Sequence, residues 1–349
     1  MKIEESYRKL TKSKISAITG FFLVLIVLGI ISVSIGTSSI GIRDVISVLL
    51  HKLFPSFTTS TFAEVVVMDL RLPRVLFAIL CGMGLAISGS AMQGVLRNPL
   101  VSPYILGISA GAAFGASLAI ALGVGFVGVG KYLVMTNAFI FALTAGSLVL
   151  GIARLKGGSP EVVILAGVAI GFLFSALSSI LQYVSEEEEL RSIVFWMMGS
   201  LWSARMNYIF VLFPVILIGF LLLMRHSWDL NTLNAGEEVA ESLGVNVGRT
   251  RFFSFIVASL ITASIVSFTG VIGFVCLMSP HMARVIVGSD HRFLFPMSGL
   301  LGAIVLLLAD TAARTLVHPV EIPVGIMTAF VGVPFFLYLL LKRRRDWWS

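Results

Sequence analysis

The sequence predicts an all-α, polytopic membrane protein with about ten transmembrane helices. Hydrophobic residues fill 57% of the 349 positions, charged residues only 12%, and the mean hydropathy is +1.00. Soluble proteins are roughly 45–50% apolar and about 25% charged. The apolar residues also form runs long enough to cross a bilayer, which takes about 20 helical residues. We therefore predict one transmembrane domain over residues 1–349, interrupted by a polar loop at about 228–247.

Ten apolar runs are assigned as spans. They lie near residues 15–35, 72–96, 103–122, 131–151, 161–184, 207–225, 250–269, 271–286, 295–315 and 323–341. The first run is too long for the apolar part of a signal peptide and lacks a small-residue cleavage site, so it is predicted to be retained. With the N-terminus inside, the inner segments carry about twice as many Lys and Arg as the outer ones, as the positive-inside rule requires. Both termini are thus predicted to be cytoplasmic, and the net charge of +7 needs no nucleic-acid partner.

The second span lies within Asp69–Leu106, which carries charge to one membrane face and a proline-broken turn to the other. Leu72 precedes a proline, which disfavours helix, and Pro73 suits the first helical position. The helix is therefore expected to begin at Pro73, with Arg71 just outside it and Arg74 in its first turn. Cations at this position oppose the positive end of the helix dipole, which suggests an external partner.

Two short helices are expected on the outer surface, over Ile42–Leu53 and Ile193–Leu201. The acidic run Glu186–Glu189, before the second of them, is predicted to be a solvated loop. In the third span, glycines recur every four residues, at Gly107, Gly111 and Gly115. Small residues at this spacing let helix backbones approach closely, so they favour helix packing over a substrate role.

The longest polar interruption on the predicted inner face is Trp228–Val247. Asn231 or Asn234 can cap a short helix there, and Gly244 can end it. The apolar face of this helix would consist of Leu233, Val239 and Leu243, and its acidic face of Glu237, Glu238 and Glu241. Anionic lipid repels such a helix, so a protein partner is the better explanation.

In the last third of the chain, Pro280 is expected to end or kink the eighth span. Asp310 and Arg314 lie one turn apart and can form an ion pair. Ionisable residues in a span are candidates for function, and a self-contained salt bridge is an equal alternative. Lys342–Arg345, with the tryptophans that follow, is predicted to anchor the last span at the inner interface.

Several enzymatic chemistries are missing from the sequence. It contains no phosphate-binding P-loop and no nucleophile elbow, and its five histidines are scattered without metal-site spacing. Cys81 and Cys276 both lie in apolar runs and are predicted to be small core residues. The chain is therefore predicted to be a transport protein without a cofactor and not an enzyme. Asp310 is the lone candidate for a proton relay within a span, which weighs against a proton-driven carrier.

Motifs along nearly the whole chain resemble the ABC-importer permeases for cobalamin, haem and ferric siderophores. They are Arg71-Leu-Pro-Arg74, Ala86-Ile-Ser-Gly89, Met92-Gln93, Asn98-Pro99-Leu100, Leu106–Gly111, Gly236-Glu237, Leu243-Gly244, Pro280-His281, Asp290-His291-Arg292 and Ala309-Asp310. The resemblance implies a type II importer fold. In that family two permeases of ten spans form a homodimer around a central pathway, two cytoplasmic ATPases bind beneath it, and a substrate-binding protein docks on top.

The resemblance also implies roles for individual residues. Arg71, Arg74 and Arg314 look like the outer arginines that meet glutamates of the binding protein. Asn98 and Leu100 look like one inner gate. Ser159 falls in the loop of the second gate, where small hydroxyl residues are typical. The residues that resemble the ATPase-coupling helices are Asn231, Leu233, Ala235, Gly236, Glu237, Ala240, Leu243 and Gly244.

The function that the resemblance implies is import of an iron chelate, such as a ferric siderophore, across the cell membrane by a subunit that a separate ATPase powers. Cobalamin, haem and molybdate are alternative substrates. A secondary transporter that works alone and a structural membrane scaffold are the alternatives from other classes.

Overall fold

The computed structural model describes residues 2–36, 40–51, 60–317 and 320–342, and all regular structure within these ranges is helical. The helices in chain order are α1 (Lys2–Ser34), α2 (Ile42–His51), α3 (Thr61–Val65), a π-helical segment (Val66–Arg71), α4 (Leu72–Val95), α5 (Ile108–Leu122), α6 (Lys131–Leu155), α7 (Pro160–Val184), α8 (Glu187–Met197), α9 (Met206–Arg225), α10 (Ser227–Asn234), α11 (Glu237–Ser242), α12 (Val247–Thr269), α13 (Val275–Val287), α14 (His291–Thr315) and α15 (Val324–Lys342).

Every predicted span coincides with a helix. Among the described residues, seven helices are long and apolar enough to cross a membrane: α1, the continuous helix Thr61–Val95, α6, α7, α9, α12 and α14. The remaining spans correspond to α5, α13 and α15, whose described apolar parts are shorter. The all-α polytopic fold is confirmed, and the number of crossings stays a prediction.

The second span does not begin at Pro73, as predicted. Thr61–Val95 is one continuous helix, and its segment Val66–Arg71 is π-helical. A proline ring clashes with the preceding turn of a regular α-helix, and a π-helical turn is wider, so the helix accommodates the proline without breaking. Arg71 and Arg74 consequently lie inside a helix, and the expectation that they oppose the positive end of its dipole is wrong.

Helices α4 and α14 form the centre of the bundle and cross with glycine against glycine. A Cβ atom added to Gly82 would overlap the carbonyl oxygen of Gly302, and one added to Gly302 would overlap that of Gly82. Near the end of the same pair, a Cβ on Gly94 would overlap the ring of His291. The two helices therefore lie at backbone contact distance, which side chains at these positions would prevent.

The glycines of the third span pack as predicted at two of the three positions. An added Cβ on Gly111 or Gly115 would overlap a backbone carbonyl of α6, that of Phe141 or Asn137 respectively. Gly107 is needed for a different reason. It precedes α5 with a φ of +77°, a left-handed conformation that glycine adopts without strain.

Pro280 does not end the eighth span, because α13 continues past it to Val287. Proline has no N–H to donate to the carbonyl of Cys276, four residues earlier. That carbonyl lies directly against Gly89 of α4, where any Cβ would overlap it. Prolines are tolerated in membrane helices where packing against neighbouring helices accommodates the altered backbone. Both Cys81 and Cys276 are free and buried, as predicted.

The two predicted surface helices exist with altered limits. Helix α2 is described to His51, and the rest of the predicted segment lies outside the described residues. Helix α8 begins earlier than predicted, at Glu187, because Glu186 and Glu189 form a reciprocal capping box. The acidic run is therefore the start of a helix and not a solvated loop. Arg343–Ser349, which contain most of the predicted interfacial anchor, lie outside the described residues.

The bundle has two ends that carry the polar residues. We call one the arginine face, defined by Arg71, Arg74, Asp310 and Arg314. The other is the loop face, defined by residues 97–100, 156–160, 227–246 and 288–292. Helices α4 and α14 run from one face to the other.

Candidate functional site

On the arginine face, a fully buried carboxylate binds two arginines from different helices. Asp310 of α14 has an exposed fraction of 0%. Its Oδ1 accepts a hydrogen bond of 3.0 Å from Nε of Arg74 on α4, and its Oδ2 lies 3.1 Å from Nε of Arg314. Arg74 also donates to Glu321 at 2.8 Å, at the more exposed edge of the cluster. The predicted pair of Asp310 and Arg314 is confirmed, and it is part of a larger ionic cluster.

Two arginines of this face, Arg71 and Arg314, also cap the end of α1. Arg71 donates to the carbonyl oxygens of Val33 and Ser34 at 3.0 and 3.1 Å, and Arg314 donates to that of Ile35 at 3.2 Å. The last carbonyls of a helix have no partner within it, and cations are stabilised near its C-terminus. Arg71 and Arg314 are each only 6% exposed. The three arginines predicted to dock a binding protein are thus brought together, but each has partners inside the chain. Their docking role stays a prediction.

On the loop face, the predicted gate residues stabilise local turns. Oδ1 of Asn98 accepts a hydrogen bond from the backbone N–H of Leu100 at 3.0 Å, in the turn that follows α4. Ser159 is the N-cap of α7, where its side chain accepts from the N–H of Val162 at 3.5 Å, and Pro160 takes the first helical position. The apolar side chain of Leu100 is well exposed. The gate role of these residues is a prediction that the contacts leave open.

The predicted coupling segment folds differently from expectation. It forms two helices, α10 and α11, which are separated at Ala235 and Gly236, because Gly236 has a φ of +128° that helices exclude. Leu233 is therefore buried on α10, whereas Val239 and Leu243 are 43% and 66% exposed on and after α11. The single apolar face predicted for this segment is wrong.

The predicted end of the segment is confirmed. Gly244 has a φ of +83°, and its N–H donates to the carbonyl of Glu241 at 2.9 Å. The N–H of Val245 donates to the carbonyl of Ala240, also at 2.9 Å. These two bonds form a Schellman motif, which ends a helix at a left-handed glycine. Ala240 is fully buried beneath α11.

Asn231 is a bridge between helices and not a helix cap. Its Nδ2 donates to Oδ1 of Asp290 at 2.8 Å, and its Oδ1 accepts from the backbone N–H and from Nδ1 of His291, at 2.8 and 2.9 Å. Asp290 is in turn the N-cap of α14. Burial alone would raise the pKa of Asp290, but hydrogen bonds from Arg292 and Asn231 lower it to about 2. Helix α10 is therefore tied to the first residues of α14 by charge-assisted bonds.

Further polar contacts on the loop face were not predicted from the sequence. Glu237 forms an ion pair with Arg251 of α12. Gln93 of α4 is fully buried, accepts from Arg284 of α13 at 2.6 Å and donates to the carbonyl of Leu277 at 3.3 Å. An arginine in an apolar helix is itself a signal, since it needs a partner in the membrane. The sequence does not say which partner, because Gln93 and Arg284 are far apart along the chain.

The geometry defines a polytopic helical membrane protein with a folded polar segment on one face. Residues 24–342 match the FecCD transport family. The chain is 37% identical to the hemin transport system permease protein HmuU of Yersinia pestis, over 94% of this chain and 96% of that one. It is 44% identical to the cobalamin import system permease protein BtuC of Halobacterium salinarum, over 80% and 74%.

A solved structure described as an inward-facing metal-chelate type ABC transporter has the same fold. It has a TM-score of 0.82 and 36% identity, and the match covers 94% of this chain and 99% of that one. The chain therefore belongs to the FecCD transport family and is a permease of the ABC importer type.

Proposed function

We propose that this chain imports an iron chelate across the cell membrane, powered by ATPase subunits that bind its loop face. The observation that carries the proposal is the α10–α11 segment. Asn231 and Glu237 fasten it to α14 and α12, while Val239 and Leu243 remain exposed. A polar segment that is anchored to the spans and presents apolar side chains fits a partner that transmits movement. In this proposal the loop face and both termini are cytoplasmic.

An iron chelate is the proposed substrate because the similar proteins include a hemin permease and a metal-chelate type transporter. Cobalamin is the second candidate, since the halobacterial relative is named for its import. The substrates share a large size and a metal centre, so a wide pathway suits each of them. We propose that two copies of the chain enclose this pathway.

The arginine face is the proposed docking site for a substrate-binding protein. Of the three arginines, Arg74 is the one proposed to contact the binding protein directly. Its second ion-pair partner, Glu321, lies at the exposed edge of the cluster with a side chain 36% exposed. A glutamate of the partner can replace Glu321 on Arg74 without opening the buried contact to Asp310. Arg71 and Arg314 then support the site from beneath. Contacts of this kind set orientation and association rate, so binding weakens as salt is raised.

The central experiment is reconstitution of the chain in liposomes with the ATPase and binding protein of its own system. Uptake of labelled ferric siderophore should require ATP and both partners. Unlabelled haem, cobalamin and molybdate serve as competitors, and stronger competition by one of them would reassign the substrate. Uphill uptake by the chain alone would identify a secondary transporter, and absence of any transport activity would favour a scaffold.

The coupling role is tested with Gly236→Val, which places a branched side chain at a φ of +128°. The strained segment should bind the ATPase in the wrong geometry, so that ATP hydrolysis continues while uptake falls. Gly20→Val is the matched control, because no atom lies within 4 Å of a Cβ at Gly20. Equal uptake by both variants would contradict the coupling role.

The gate is tested with cysteines at Asn98 and Leu100, crosslinked between the two copies. The crosslink should block uptake, and reduction should restore it. Full uptake in the crosslinked state would remove Asn98 and Leu100 from the proposed gate. A substrate-free readout, crosslinking yield with and without ATP, separates a misplaced gate from a failure to dimerise.

A further inference from the structure

A groove runs between α6 and α12, from the loop face toward the middle of the bundle. It consists of two adjoining cavities of about 430 and 600 Å³. Leu150, Arg154, Phe252 and Phe255 line both cavities. The deeper cavity is otherwise lined by apolar and small residues, which are Leu143, Gly146, Ser147, Gly151, Ile256, Ser259 and Leu260. A groove of this shape and lining, open along its side, suits a hydrocarbon chain.

The groove opens toward the lipid and not toward the centre of the bundle. Ile256 and Leu260 of α12 line it and are well exposed, as are several apolar residues of the neighbouring helix α9. Large exposed apolar surface on spanning helices is the surface that acyl chains contact. An occupant of the groove is therefore continuous with the bilayer.

The end of the groove at the loop face is basic. Arg154 lies in the last turn of α6 and Arg249 in the first turn of α12. Within the described ranges neither arginine forms an ion pair with a carboxylate. The guanidinium of Arg154 lies 4.0 Å from the centre of the Phe252 ring, which holds it over the groove.

Acidic residues reach this end without cancelling its charge. Glu237 and Glu241 also line the wider cavity, but Glu237 is paired with a third arginine of the lining, Arg251. Arg154 and Arg249 thus remain available to bind an anion, and the other carboxylate of the lining, that of Glu241, is exposed. Arginine binds phosphate through two parallel hydrogen bonds, which lysine cannot reproduce.

We propose that this groove binds an anionic phospholipid, with an acyl chain between α6 and α12 and the phosphate between Arg154 and Arg249. Basic pockets between spanning helices at the cytoplasmic edge of the membrane suit anionic headgroups. The site rests on the cytoplasmic orientation of the loop face proposed above and not on the substrate, so a failure of the lipid experiment leaves the proposed import activity untouched.

A second groove provides an internal comparison. It lies between α6, α9 and α12 at the opposite end of these helices, has a volume of about 700 Å³ and is lined by Tyr132, Asn207 and Tyr208 among apolar residues. The nearby cation is Lys131, which lies over the rings of both tyrosines. No arginine is among the described residues that line this groove, so it should accept lipid without preferring an anionic headgroup.

The proposal is tested by native mass spectrometry of the full chain with phosphatidylglycerol and phosphatidylcholine of identical acyl chains. The chain should retain phosphatidylglycerol preferentially. The double variant Arg154→Gln, Arg249→Gln should lose about tenfold of that preference, while phosphatidylcholine binding is unchanged. Lys156→Gln removes a charge from the same face outside the groove and should leave the preference intact.

A second variant blocks the groove without changing its charge. No atom lies within 4 Å of a Cβ at Gly151, so Gly151→Leu fills the groove and leaves the fold intact. It should reduce the binding of both lipids, and thermal unfolding in nanodiscs confirms that each variant is folded.

Three results would overturn the proposal. Equal retention of the two lipids by the wild-type chain would exclude a headgroup site. Thermal stabilisation by inorganic phosphate as large as that by phosphatidylglycerol would reassign the arginines to free phosphate. Crosslinking between two copies through cysteines at Ser147 and Ile256, which both line the groove and are exposed, would show that a second chain covers it.

Discussion

Replacing Asp310 with alanine should destabilise the helix bundle by about 3 kcal/mol. Asp310 is fully buried, and its carboxylate lies within hydrogen-bonding distance of Arg74 and Arg314. Removing one partner of a buried ion pair costs about 3–5 kcal/mol, because the remaining charge is left uncompensated. The lower end of the range applies, since Arg74 keeps Glu321 at 2.8 Å and Arg314 keeps the carbonyl of Ile35 at 3.2 Å.

The assay is equilibrium unfolding of the purified chain in mixed micelles with increasing SDS. Asp310→Asn preserves the shape of the side chain and removes only its charge, so it should recover part of the loss. Glu321→Gln is the matched control, because an ion pair at the exposed edge contributes about 0–1 kcal/mol. A loss below about 1 kcal/mol for Asp310→Ala, or equal losses for Asp310→Ala and Glu321→Gln, would refute the reasoning.

Three further predictions concern the central helix pair and the loop face. Gly82→Ala should lower the free energy of unfolding by about 1–3 kcal/mol, since its Cβ overlaps the carbonyl oxygen of Gly302. Gly20→Ala, where no atom lies within 4 Å of the new Cβ, should be neutral or slightly stabilising, and SDS unfolding measures both variants. Asp290 has a folded pKa of about 2, below the usual 3.8. The wild-type chain should therefore be more stable than Asp290→Asn by a difference that is complete above about pH 4 and is lost as the pH falls through about 2, as followed by thermal unfolding. Asn231→Asp should expose α10 to faster hydrogen exchange than Asn231→Ala, because it sets a second carboxylate against Asp290.

Each of these predictions has an outcome that would contradict it. Equal stability of the two glycine variants would mean that α4 and α14 are not in backbone contact. A constant difference between wild type and Asp290→Asn across the acidic range would place the carboxylate outside the described network. Slower exchange in Asn231→Asp than in Asn231→Ala would show that the new carboxylate finds a cation instead.

The sequence predicted the helices well because the membrane imposes one simple requirement on them. A span needs about 20 apolar residues whatever it packs against, so the runs in the sequence mark the helices directly. Gly111, Gly115 and Gly244 were predictable for a similar reason. Close helix packing and left-handed helix ends both select glycine through local geometry.

The partners of the polar residues were not predictable from local patterns. Arg71 caps carbonyls of α1 more than 30 positions earlier, and Arg74 binds Asp310 on another helix. An arginine near the end of a span looks like a surface charge in sequence, because its intramolecular partners come from distant segments. The sequence offers Asn231 or Asn234 as a helix cap for the same reason, since the contact of Asn231 with Asp290 is long-range.

The glycine crossing of α4 and α14 also limits how the transporter can change shape. The pair is fastened near one end by Arg74 and Asp310, at mid-height by Gly82 and Gly302, and near the other end by the packing of Gly94 on His291. Because α4 and α14 are in contact at three heights, they can tilt together but cannot slide along each other or separate. Opening and closing of a passage must therefore come from movement of the outer helices relative to this pair, which moves as one rigid unit.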